Sequence, residues 1–124
     1  MKFQSPAREK SYLLAKDILV LLRKKQKDYV AQPFLIQLAR SATSIGANLE
    51  EAAGAESRAD FRHKISLAQK EARETLYWLM LLQDTGYIPQ TEVVRMKEYA
   101  TAIVKMLIAT KRTLMRTPPN SDTE

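Results

Sequence analysis

Residues 40–87 read RSATSIGANLEEAAGAESRADFRHKISLAQKEARETLYWLMLLQDTGY. Apolar side chains recur at the three- and four-residue spacing of a helix face, with one interruption at residues 54–57. Before the break, Leu38, Ala42, Ile45, Leu49 and Ala52 continue a seam that begins at Leu35. Ser, Thr, Ala and Gly fill much of the remaining surface and permit close helix approach. Gly46 costs a helix interior about 1 kcal/mol relative to Ala, so tight backbone packing is its expected compensation. Gly54 is the expected stop. After the break, Ser57 is placed to cap a helix, with Asp60 three residues later in a capping-box arrangement. Phe61, Ile65, Ala68, Ala72, Thr75 or Leu76, Leu79 and Leu82 form the next seam. Beside it runs a stripe of Leu67, Glu71, Glu74, Trp78 and Leu81, and Gly86 followed by Pro89 ends the helix.

The flanks supply two more helices. Upstream, Ser5 precedes Pro6, the pairing of an N-cap with proline in the first turn. Leu14, Ile18, Leu21 and Leu22 form an apolar face that Tyr12, Ala15 and Leu19 are expected to widen. The chain turns polar at residues 23–28, RKKQKD, ahead of Pro33. Downstream, Val93, Met96, Ala100, Ile103, Leu107, Thr110 and Leu114 keep heptad spacing. Four long helices with short links predict an all-α fold, an antiparallel up-down-up-down four-helix bundle. Residues 1–117 would form the single domain and 118–124 a flexible tail. The apolar faces of the first, third and fourth helices exceed one seam, which points to self-association.

The chain has 124 residues, of which 45% are hydrophobic and 27% charged, as a soluble domain requires. Cysteine is absent, which removes disulfides, thiol nucleophiles and thiolate metal sites. The N-terminus has no apolar signal-peptide core, and the longest apolar run, residues 76–82, is far below the roughly 18 to 20 residues of a membrane span. A cytoplasmic protein with no membrane role is expected. Net charge is +6, and residues 1–32 hold eight Lys and Arg against three acids. Such a surface either is simply solvated or attracts nucleic acid or an acidic partner.

The order R-S-A-x-S-I-x-A-N-x-x-E-A-x-G-x-x-S-x-x-x-F, then L-A-x-x-E-A-x-E-x-x-x-x-L, then D-T-G-Y-I resembles the small four-helix-bundle family of 23S rRNA intervening-sequence proteins. That family is similar to the accessory variability determinant proteins of diversity-generating retroelements. The match is close over residues 35–88, while the outer helices agree in length, pattern and basic character. The resemblance implies a four-helix bundle assembled as a homopentameric, barrel-like ring with a basic surface. It also implies that the retroelement relatives are non-enzymatic partners of a reverse transcriptase and its RNA. The motif falls on Arg40, Ser41, Ser44, Ile45, Asn48, Glu51, Gly54, Ser57, Phe61, Glu71, Glu74 and Gly86. One departure stands out: Gly54 lies two positions later than the family's Asn-Ile-Ala-Glu-Gly run would place it if Glu51 is the family glutamate.

Arg40, Ser44, Asn48 and Glu51 share a helical face, and Glu71 and Glu74 lie on the following helix. They form either a ligand site or a polar network within or between subunits. The second is the expectation, with Arg40 paired to Glu71 or Glu74, because buried charges are nearly always paired. A di-iron centre needs Glu-x-x-His pairs, whereas here Glu74 stands where the imidazole belongs and His63 has no Glu three residues before it. No cofactor or metal is expected. Ser41 and Ser44 have no histidine partner and no phosphate-binding glycine loop is present, so no enzyme is expected. The candidates for nucleic-acid contact are Arg23, Lys24, Lys25 and Lys27, then Arg58, Arg62 and Lys64, then Lys105, Lys111, Arg112 and Arg116. Tyr12, Tyr29 and Tyr99 are scattered rather than interleaved with them, which favours backbone contact over base reading.

Overall fold

The computed structural model describes residues 5–116 and places them in four helices: α1 (Pro6–Lys24), α2 (Gln32–Ala53), α3 (Arg58–Asp84) and α4 (Gln90–Arg116). The expected tail at 118–124 lies outside the described residues. Each helix packs on its chain neighbours, and α4 closes back against α1. With links too short to cross the molecule, this is the antiparallel up-down-up-down four-helix bundle. One end carries the close of α1 and α3 with the start of α2 and α4; the other carries the reverse.

Local chemistry sets the boundaries. The Ser5 hydroxyl accepts from the Ala7 N–H at 3.0 Å, and Pro6 follows where a missing N–H costs nothing. The Ser57 hydroxyl accepts from the Asp60 N–H at 3.0 Å and starts α3. Helix α3 ends in a Schellman turn: Gly86 has φ +84° and donates to the Gln83 carbonyl at 3.0 Å, while Tyr87 donates to Leu82 at 2.9 Å. Gly54 behaves differently. It caps α2 at φ −102°, a conformation open to any residue, so its stop does not depend on left-handed glycine geometry.

Helix α2 has no side-chain cap of its own, because Ala31 occupies the capping position. The link before it is held instead by Asp28, whose carboxylate accepts from the Ala31 N–H at 3.3 Å, and by the Gln32 amide donating to the Lys25 carbonyl at 2.8 Å. The polar run at residues 23–28 therefore gives only Arg23 and Lys24 to α1, and the rest forms the link.

The seams meet in one core. Leu14, Ile18, Leu35, Leu38, Ile45, Leu49, Ile65, Leu79, Ile103 and Leu107 are fully buried. In α3 the buried position is Thr75 rather than Leu76, which is only partly covered. Its hydroxyl lies 2.9 Å from that of Ser41 across the α2–α3 seam. Tyr12 and Leu19 do not widen the α1 core face; they are 67% and 52% exposed. The reason is angular: both lie off the buried line of Ala7, Ser11, Leu14, Ile18 and Leu21, on the solvent side of the helix.

Gly46 has the close packing that its presence in a helix demands. A Cβ there would lie 3.3 Å from the Ser11 hydroxyl oxygen on α1. Gly46→Ala should therefore gain clearly less than the about 1 kcal/mol that helix propensity alone would give. Adding Ser11→Ala should recover it, with a coupling of about 0.5 kcal/mol or more by chemical denaturation. Additive single effects would show that this contact does not set the α1–α2 spacing.

Candidate functional site

The stripe of acids on α3 meets α2 along the outer edge of their interface. Residues 71, 74 and 78 are one helical turn apart, so Glu71, Glu74 and Trp78 share a line facing α2. On α2, Phe34, Gln37 and Arg40 come to the same line from the other side. Arg40 hydrogen-bonds the Glu74 carboxylate through Nη2, and its Nη1 stands 3.6 Å from Glu71 Oε1. The Arg40 Nε donates to Gln37 Oε1 at 3.3 Å, and the Trp78 indole N–H donates to Glu74 Oε2 at 3.1 Å. Phe34 and Tyr77 flank Trp78, with ring centroids 6.3 and 5.1 Å away.

Arg40 thus meets both acids. The two carboxylates outnumber the one guanidinium, and Glu71 Oε1 is buried yet accepts no hydrogen bond among the described residues. The Trp78 hydrogen bond, followed by those of Arg40, holds the Glu74 carboxyl below the usual glutamate range against the opposing effect of burial. Hydrogen bonding to Glu74 likewise raises Arg40. The pair is partly wet, with 47% and 30% of the two side chains exposed, so its worth stays near the range of surface ion pairs.

The rest of the sequence-derived polar set does not join this cluster. The Asn48 amide donates to the Ser44 carbonyl at 2.8 Å within α2. Glu51 turns instead to Lys64 at 2.6 Å. Among the described residues, no group of three or more His, Cys, Asp or Glu side chains lies together as metal ligands would.

The basic candidates divide between the two ends of the bundle. Arg23, Lys24, Lys25 and Lys27 lie where α1 closes. Arg58, Arg62 and Lys64 lie where α3 opens, beside Lys111, Arg112 and Arg116 at the close of α4. Lys105 lies farther along α4. Several are already engaged. Lys24 stands 3.6 Å from Glu92, Lys64 pairs with Glu51, and Lys111 reaches Gln69 at 3.4 Å. Arg58 donates to the Leu114 carbonyl, where a cation suits the negative end of α4. Arg23, Lys27, Arg62, Lys105, Arg112 and Arg116 are exposed, and Lys25 is half-buried. The side chains of these seven form no ion pair or hydrogen bond among the described residues.

Besides Lys24–Glu92 and Lys64–Glu51, sequence reasoning missed two further cross-helix pairs. Arg8 on α1 binds Glu50 on α2 at 2.7 Å, and Arg95 on α4 holds Asp17 on α1 through two contacts of 2.9 Å. Their partners lie 42 and 78 residues apart, so no local spacing signals them. A groove of about 560 Å³ between α1 and α4 contains the Asp17–Arg95 and Lys24–Glu92 pairs. Its charged groups are matched to each other, which leaves no unpaired group for a ligand. Trp78 and Phe34 were also absent from the sequence-derived site, although the 71-74-78 spacing was a readable signal for the first.

The fold and this polar seam define a small helical-bundle class, and comparison with known proteins gives the family. The family model described as 23S rRNA-intervening sequence protein matches residues 4–109. The chain belongs to that family. It is also similar to a crystal structure from Bacteroides thetaiotaomicron, a protein of the S23 ribosomal protein family described as having unknown function. The two share 42% identity with a TM-score of 0.77, over 86% of this chain and 98% of that one. Comparison with curated proteins gives no match.

Because Glu74 is depressed in the folded state, its contribution is present above the ordinary glutamate range and is lost as pH falls through the depressed value. Glu74→Gln should therefore be less stable than the parent at neutral pH, by about 0.5 to 1 kcal/mol for so wet a pair. That gap should close in acid. A gap that persists unchanged at pH 3 would show that carboxylate charge is not what the seam uses.

Proposed function

We propose that this protein is a non-enzymatic, self-associating helical bundle that binds nucleic acid through its basic ends. The observation that carries the reading is the set of exposed cations without a side-chain partner among the described residues: Arg23 and Lys27 at one end, Arg62, Arg112 and Arg116 at the other. Five copies in a ring would repeat each end fivefold and build a strong positive field from a chain of net charge +6. With tyrosines scattered away from these clusters, the contacts would be to phosphates rather than base edges. RNA is the favoured ligand, in keeping with the family name. The family resemblance noted in the sequence would add a reverse transcriptase as a protein partner.

The absence of a helix long and apolar enough to cross a membrane among the described residues fits a place in the cytoplasm. A second reading, a self-assembling protein-interaction module with no nucleic-acid role, is favoured by the exposed Tyr12, Leu19, Tyr77 and Met80.

Binding to a structured RNA separates the two. The logarithm of affinity should fall linearly with log salt, each phosphate contact adding about 0.7 to 0.9 to the slope. Replacing Arg23 and Lys27 with Glu, or Arg62 and Arg112 with Glu, should weaken binding at least tenfold and flatten the slope at whichever end is used. Equal affinity at low and high salt, or no binding at low salt, would overturn the nucleic-acid reading in favour of the second.

A further inference from the structure

The four helix-to-helix edges of the bundle differ in charge. Ion pairs cross three of them: Arg8–Glu50 between α1 and α2, Asp17–Arg95 and Lys24–Glu92 between α1 and α4, and Arg40 and Lys64 with their glutamates between α2 and α3. Among the described residues no ion pair crosses the fourth edge, between α3 and α4, although these two helices pack closely.

The outer rows of that edge give the reason. On α3, Arg62, Gln69, Arg73, Leu76 and Met80 recur at helical spacing, and on α4, Lys97, Thr101, Lys105, Ile108 and Arg112 do the same. Neither row holds an Asp or a Glu. Two contacts set the register: Arg58 donates to the Leu114 carbonyl, and Lys111 reaches Gln69 at 3.4 Å. Because the helices run antiparallel, Arg62 lies level with Arg112, and Arg73 with Lys105, to within about one turn of about 5.4 Å. Cations therefore face cations across the groove. The side chains of Arg62, Arg73, Lys97, Lys105 and Arg112 form no ion pair or hydrogen bond among the described residues. Like charges so placed repel, and no acid of either row neutralises them.

The α4 row from Lys97 to Arg112 is about 22 Å long at a rise of about 1.5 Å per residue. Where α4 begins, the groove opens into a cleft of about 470 Å³. Gln83, Gln90 and Thr101 line it with two amides and a hydroxyl that form no side-chain hydrogen bond among the described residues. Glu98 is the one acid among its lining residues, against Lys97 and Lys105.

We propose that a single strand of RNA lies along the α3–α4 groove, with its phosphates on Arg62, Arg73, Lys97, Lys105 and Arg112 and a ribose in the cleft. This rests on the nucleic-acid reading above and carries the contact from the end of the bundle, at Arg62 and Arg112, along its side. Axes of packed helices lie about 8 to 10 Å apart, so the groove between them seats one strand and not a duplex. A cationic groove that tracks one backbone is the electrostatic half of single-strand recognition. The ribose 2′-hydroxyl both donates and accepts, which suits the amides of Gln83 and Gln90 and the hydroxyl of Thr101.

The test is the affinity of the parent and three variants for an unstructured oligouridylate across a range of salt. Arg73 lies in the middle of α3 and Lys97 about two turns inside α4, so Arg73→Glu combined with Lys97→Glu leaves both ends of the bundle unchanged. This double variant should bind about tenfold more weakly or worse. Its plot of log affinity against log salt should be flatter by about 1.4, two contacts at about 0.7 each for a single strand. Lys70→Glu, on the outward face of α3, should stay within about twofold of the parent. Lys105→Glu, at an exposed position, should weaken binding and repeats the test should the double variant lose helicity. The deoxy form of the same oligonucleotide should bind more weakly to the parent.

Groove variants that bind like the parent while Arg62→Glu with Arg112→Glu binds weakly overturn the groove and leave the ends as the site. A Lys70→Glu loss equal to that of the groove variants also overturns it, since net charge alone would then set affinity. A parent that prefers duplex RNA to the oligouridylate overturns the single strand, and equal affinity for the deoxy form overturns the ribose contact. A parent that binds neither oligouridylate nor structured RNA at low salt overturns the nucleic-acid reading itself.

Discussion

The α2–α3 seam is the most extensive of the four helix interfaces, and the rest of the bundle is built on it. Its inner edge is apolar, with Leu38, Ala42, Ile45 and Leu49 facing Ile65, Ala68, Ala72 and Leu79, all buried. In its middle a buried pair of hydroxyls, Ser41 and Thr75, crosses between the helices. Each can fall back on a carbonyl of its own helix, Leu38 at 3.1 Å and Glu71 at 2.8 Å, so neither oxygen is left unsatisfied in the core. A satisfied polar pair at one level disfavours a seam slipped by a turn, because slipping would set a hydroxyl against apolar surface. At the outer edge Arg40, Glu74 and Trp78 lock the same register from the solvent side.

The two interfaces of α1 are fixed by different means. Against α2 it relies on near contact, with Ser11 set opposite Gly46, and on the Arg8–Glu50 pair above it. Against α4 it relies on charge, through Asp17–Arg95 and Lys24–Glu92. These ion pairs are partly exposed and each contributes little to net stability. Their use is orientation: opposite charges placed across α1 and α4 disfavour rotations of α1 that would bring like charges together.

This division of labour explains where the unspent surface lies. Helices α2 and α3 direct their small and apolar residues inward, leaving charge and aromatic edges at the rim of their groove. Helix α1 carries more apolar residues than its two neighbours can cover. A four-helix bundle of this size encloses one core, so the excess falls outward as Tyr12, Leu19 and Val20. The basic ends owe their freedom to the same geometry, since residues at or near the ends of the helices have few neighbours to pair with.

The sequence by itself determined the helices and the core. Period, caps and breakers are local properties: Ser5, Ser57 and Gly86 act within a few residues of themselves, and the seams on α2, α3 and α4 were legible because a helix face repeats every three or four positions. The family motif at residues 35–88 was legible for the same reason. The tertiary structure decided what periodicity leaves open. It chose Thr75 over Leu76 for the core and turned Tyr12 and Leu19 to solvent. It also sent Glu51 to Lys64 rather than to the Arg40 cluster and divided the basic residues between two ends. Each of these depends on where a neighbouring helix lies, and partners 13 to 78 residues apart become neighbours only once the bundle has closed.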